Sequence, residues 1–180
     1  MQEILDRYEK TLQEGLLKVC SGEGVLEGVL LGSPDIDAKW EEYLQGYVGD
    51  AVANFNRFPE AALGWAAFLG MGVANAWDND WASHSGDSYE AYYGSRGWDD
   101  MDDHILGDVL HLTAEWSEKI SSVVDNCALA TLGLISHEGI ETQTALGFYV
   151  LVRSYGVLFR IGAAIELHRL GYKKVALPKL

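Results

Sequence analysis

From Ala61 to Trp77 the chain runs for 17 residues without a charge, with Asn75 as the only polar side chain and nine positions taken by alanine or glycine. A helix that is apolar on every side must be covered on every side. Small side chains let the covering helices come close. A membrane span needs about 20 strongly apolar residues, and this run is both shorter and poorer in large side chains. It predicts the central helix of a bundle.

The rest of the chain supplies neighbours for that helix. No alternating apolar run bounded by turn residues is present, so no strand is expected. Helical spacing puts Ile4, Leu5, Tyr8, Leu12, Leu16 and Val19 on one stripe of a helix over Gln2–Val19. Ser21–Pro34 carries Gly24, Gly28 and Gly32 and reads as a short helix or an ordered loop. Pro34, Asp35 and Asp37 open a second helix, with Asp35 as its cap and Trp40, Tyr43, Leu44, Tyr47, Val48 and Val52 turned inward. Pro59 suits the first turn of the central helix, where its missing N–H costs nothing. Ser83–Gly97 is a polar connection whose Tyr89, Tyr92 and Tyr93 suggest a short helix. A long helix over Trp98–Val124 then buries Met101, Ile105, Val109, Leu112, Trp116, Ile120 and Val123. The apolar stretch Cys127–Ile135 breaks near Gly139, and a last helix over Glu141–Leu170 closes at Gly171 as its C-cap. The expected fold is all-α: a single domain over residues 1–180, with five or six main helices around the Ala/Gly-rich one.

Charge narrows the function. Thirteen Lys and Arg stand against 27 Asp and Glu, a net charge of −14. Nucleic-acid binding needs a basic face, and anionic membranes attract basic segments, so neither partner is expected. Two cysteines, Cys20 and Cys127, make no disulfide framework and lack the spacing of a zinc site. Met1–Lys10 is charged throughout, unlike a signal peptide, so a cytoplasmic location is expected. The charges are also segregated. Asp78–Glu118 holds eleven acids and one base, Arg96, whereas Arg153, Arg160, Arg169, Lys173, Lys174 and Lys179 face only Glu166 from Arg153 onward. The two segments are expected to pack against each other.

Four groups of residues carry candidate chemistry. Asp78, Asp80 and His84, at the end of the apolar helix, offer oxygen and imidazole ligands, although Ser83 and Tyr89 break the pattern of a calcium loop. Asp99, Asp100, Asp102 and Asp103 crowd a helix start, where the helix dipole alone favours them. His104, Asp108, His111 and Glu115 fall at i, i+4, i+7 and i+11, within an arc of roughly 60° on a regular helix, and form the candidate metal set. Eleven residues rise about 16 Å, so all four cannot reach one ion. Arg153 and Arg160 share a face of the last helix and need acidic partners, for which Asp78 and Asp80 are the first choice. Tyr92 joins Asp78, Asp80, His84, Arg153 and Arg160 as a candidate ligand contact.

Recognisable catalytic patterns are missing. The chain has no Gly-x-Ser-x-Gly elbow, phosphate loop or dinucleotide fingerprint. It also lacks the paired Glu-x-x-His elements of a di-iron bundle and the His-Glu-x-x-His of a zincin. No cofactor is expected. The leading expectation is a non-catalytic protein that binds a protein partner or itself, through an acidic surface and the aromatic connection with Tyr89, Tyr92, Tyr93 and Trp98. Its acidity also fits an inhibitor of a basic toxin or nuclease. The alternative is a small-molecule- or metal-binding enzyme with its site between the 78–84 helix end, the 104–115 helix face and Arg153 and Arg160.

Overall fold

The structure, a computed structural model, describes residues 1–173. Those residues form six α-helices: α1 (Gln2–Gly22), α2 (Pro34–Phe55), α3 (Pro59–His84), α4 (Met101–Asp103), α5 (Ala114–His137) and α6 (Ala145–Arg169). No strand occurs among them; one isolated bridge joins Gly94 and Gly97. The all-α bundle read from the sequence is the fold that forms.

The predicted central helix is central. Every residue from Ala62 to Ala74 is buried, so α3 presents no face to water along that stretch. Its most extensive neighbour is α6, with α2 and α5 covering other sides and α1 packed on α5 and α6. Small residues set the crossing of α3 and α6. A Cβ on Gly70 would stand 2.0 Å from the Phe159 carbonyl oxygen, and one on Gly162 would stand 1.9 Å from that of Ala67. Two backbones therefore touch directly, which a side chain at either position forbids. α6 is itself long and apolar enough to cross a membrane, yet 72% of its most apolar window is buried inside the bundle.

Several boundaries follow the sequence reading and several do not. α1 runs on to Gly22, and its buried stripe is Leu5, Tyr8, Leu12, Leu16 and Cys20, leaving Ile4 exposed. Ser21–Pro34 holds the last turn of α1, then an ordered loop that buries Val25 and Leu26. Ser33 caps α2 in place of Asp35: its Oγ accepts from the Asp35 N–H at 3.2 Å. α6 begins at Ala145 behind a Thr144 cap and closes on Gly171, whose φ of 95° suits glycine.

The helix expected over Trp98–Val124 is broken. A 3₁₀ turn at Trp98–Asp100 leads through α4 into a π-helical turn, His104–Val109. The chain then reverses at His111 (φ 54°), and Thr113 caps a new helix by accepting from the Trp116 N–H at 3.3 Å. Trp116, predicted to be buried, is 48% exposed as a result.

The aromatic connection turns inward. Trp98 stacks on Trp65 with centroids 4.5 Å apart, and the Tyr89 hydroxyl donates to Asp50 at 2.7 Å. Tyr92 is buried against α3, where a Cβ on Gly72 would come within 2.7 Å of its ring. The side chains that motivate an interaction surface are largely occupied within the fold.

Candidate functional site

The break between α4 and α5 creates the site. Beyond Asp103 the backbone bonds i to i−5, with Leu110 N–H donating to the Ile105 carbonyl at 2.8 Å, and Leu112 N–H then reaches the Leu106 carbonyl at 2.9 Å. This winding forces His111 into the left-handed region, which costs a non-glycine residue of order 1–3 kcal/mol. Single π turns recur at functional positions because they re-aim side chains. Here the winding sets Asp108 and His111, both exposed, opposite the last turns of α3.

Between them lies a cavity of about 260 Å³. α3 contributes Asn75, Ala76 and Asn79; the following connection contributes His84, Asp87, Ala91 and Tyr92; the π turn and its exit contribute Asp108, Val109 and His111. Asn75, Ala76 and Tyr92 are buried or half-buried, while Asn79, Asp108 and His111 are exposed, so the first three make the floor and the others the mouth. The lining has two carboxylates and two imidazoles, and neither a lysine nor an arginine.

Its polar groups are held in place. Nδ1 of His84 lies 2.9 Å from Asp87 Oδ2, which leaves Nε2 to meet a ligand. The Asp87 carbonyl accepts from the Tyr43 hydroxyl at 2.8 Å, and the neighbouring Ser85 carbonyl accepts from buried Lys39 at 2.6 Å. Asp108 Oδ2 lies 2.9 Å from Nδ1 of His104, which stands outside the cavity and orients it. Asn75 donates to the buried Glu166 carboxylate at 2.9 Å, and Arg169 donates to the same carboxylate at 2.9 Å. The cavity floor is thereby tied to a charge pair in the core. Burial pushes the Tyr92 phenol well above its ordinary pKa, so it stays protonated.

The other candidates lie elsewhere. Arg153 donates to Asp6 at 3.0 Å and to Glu9, and Arg160 donates to Glu9 at 2.7 Å. Their partners come from α1, not from Asp78 or Asp80. Asp78 accepts from the Tyr172 hydroxyl at 2.7 Å. Its neighbour Trp77 packs on the Tyr172 ring, so among the described residues Asp78 meets the C-terminal segment through a tyrosine and not through an arginine or lysine. Lys174 and Lys179 lie outside the described residues. Asp80 breaks α3 (φ −159°, ψ 81°) and caps its final turn, accepting from the Ser83 hydroxyl and N–H at 2.6 and 3.2 Å. Those bonds hold its carboxyl below the usual range.

The candidate metal stripe is dispersed. His104 pairs with Asp108, His111 follows the π turn, and Glu115 sits on a separate open groove beside Trp116 and Lys119. Among the described residues, no three His, Cys, Asp or Glu side chains gather as metal ligands. Another cleft, of about 270 Å³, sets Glu60, Asp99, Asp102 and Asp125 beside Trp65 and Phe68, but it carries no imidazole or amide.

Comparison with protein-family models, curated proteins and solved structures returns no match. The cavity must speak for itself. Of the residues singled out by sequence, it unites His84, Tyr92, Asp108 and His111. It adds Asp87, Asn79 and Asn75, the last already conspicuous as the lone polar side chain of the apolar run.

Proposed function

We propose that the protein binds a small polar molecule bearing a positively charged or strongly donating group, such as an amine, in the cavity between α3 and the π turn. The observation carrying this reading is the convergence of His84, Asp87, Asp108 and His111, from the connection after α3 and from the π turn and its exit, on one half-open cleft. Its volume lies just below the roughly 300–1000 Å³ typical of small-molecule pockets. Two carboxylates without a balancing lysine or arginine favour a cation, and the net charge of −14 draws cations toward the molecule. Asn75 and Asn79 fix orientation, Tyr92 supplies an apolar ring face, and His84, oriented by Asp87, is placed to accept a proton from a bound group. This is the ligand-binding alternative read from the sequence, without its arginines and without its metal.

The test is a histidine side-chain NMR titration of the full chain against small amines, polyols and carboxylates. At least one amine should move the His84 and His111 resonances together, with saturation. Asp108→Asn should weaken that binding about tenfold, the loss of one charge-assisted hydrogen bond. Shifts confined to His137 and His168, or no saturable shift with any compound, would overturn the assignment.

A further inference from the structure

Cys20 and Cys127 are 107 positions apart, in α1 and α5, yet their sulfurs face each other at 3.7 Å. Both side chains are fully enclosed, at 0% and 1% exposure. Cysteine is often buried as a small hydrophobe, and burial by itself asks nothing of the pair. Their mutual aim does. A disulfide has a sulfur–sulfur length of about 2.05 Å, so closure needs the two sulfurs to approach by about 1.7 Å. We infer that Cys20 and Cys127 form a latent intramolecular disulfide, closed by exchange with a low-molecular-weight disulfide.

The surroundings assign the order of events. Cys20 lies in the last turn of α1, the helix-end position that opens most readily; Cys127 lies in mid-helix. The Cys127 thiol, as hydrogen-bond donor, favours the thiolate at Cys20, while its own pKa is pushed up. Cys20 thiolate attacks one sulfur of the external disulfide, forming a mixed disulfide and expelling one thiolate. Cys127, losing its proton, attacks the Cys20 sulfur and expels the second thiolate. The two cysteines lose two electrons and two protons, and the external disulfide becomes two thiols. The product ties the end of α1 to the middle of α5 and closes a loop of over 100 residues.

The full chain is incubated, folded, with oxidised glutathione. Free thiols should fall from two to none, and the intact mass should fall by about 2 Da with no glutathione retained. The melting temperature should rise by roughly 10 °C, and dithiothreitol should reverse all three. Cys20→Ser and Cys127→Ser should each abolish the mass loss and the melting shift. Two thiols that remain free, a glutathione adduct that never closes, or a cross-link between chains would each overturn the inference.

Discussion

His111 carries a backbone cost (φ 54°) that burial of its own side chain does not offset, because that side chain is exposed. Replacing it with glycine removes the left-handed penalty while adding unfolded-chain entropy. His111→Gly should therefore stabilise the fold by about 1 kcal/mol, read from urea denaturation, while weakening whatever the cavity binds. A destabilised variant would show that the φ of 54° is not strained here. Asp100 is a second residue with a single readable job. Its carboxylate accepts from the Arg96 side chain at 2.7 Å, from the Arg96 N–H at 3.0 Å and from the Ser95 hydroxyl at 3.0 Å. The Arg96 guanidinium leads in holding its pKa down, at about 2. A depressed carboxylate stabilises the folded state above its unfolded pKa of about 3.9, and that contribution fades as pH falls toward 2. An NMR titration should place the Asp100 midpoint near 2, and Arg96→Ala should return it toward the ordinary value. A midpoint at the ordinary carboxylate value in the native protein would refute the pairing.

At the scale of elements, glycine has opposite meanings in different helices. Gly162 stands where α6 meets the α3 backbone, whereas a Cβ added at Gly133 in α5 would meet nothing within 4 Å. Gly162→Ala should cost about 3 kcal/mol or more by forcing the helices apart. Gly133→Ala should instead stabilise by about 0.5–1 kcal/mol through helix propensity. Chemical denaturation of the two variants settles the point, and equal effects would dismiss the direct backbone contact. The same scale separates what is legible in the sequence from what is not. α3 is legible because the absence of charge over Ala61–Trp77 already states that all its faces are covered. The segment after Trp98 is not, because its apolar spacing persists from Met101 through Ile120 and Val123 across the break. Periodicity registers which side chains face inward; it does not register an extra backbone residue wound into a π turn. Gly107 and the capping residue Thr113 are the only local marks of the interruption.

Across the whole molecule, pairing over long sequence distances is the hardest thing to foresee. Arg153 and Arg160 do need acids, as their place on an apolar helix implies, but Asp6 and Glu9 lie more than 140 residues away, and nothing local selects them over Asp78 or Asp80. Cys20 and Cys127 meet for the same reason, through the packing of α1 on α5. The cavity is half legible: residue types single out His84, Tyr92, Asp108 and His111, whereas only the fold gathers them away from Glu115 and the arginines. The backbone contact at Gly70 and Gly162 bears on how that cavity behaves. Helices that touch main chain to main chain have no cushion of side chains over which to slide, since a small shift in register drives a neighbouring Cβ into a carbonyl. Asn75 and Asn79 thus stand on a fixed jaw. His84, Asp87, Asp108 and His111 ride on connections and a single π turn, so under the proposed reading a guest that fits imperfectly would be accommodated from that side.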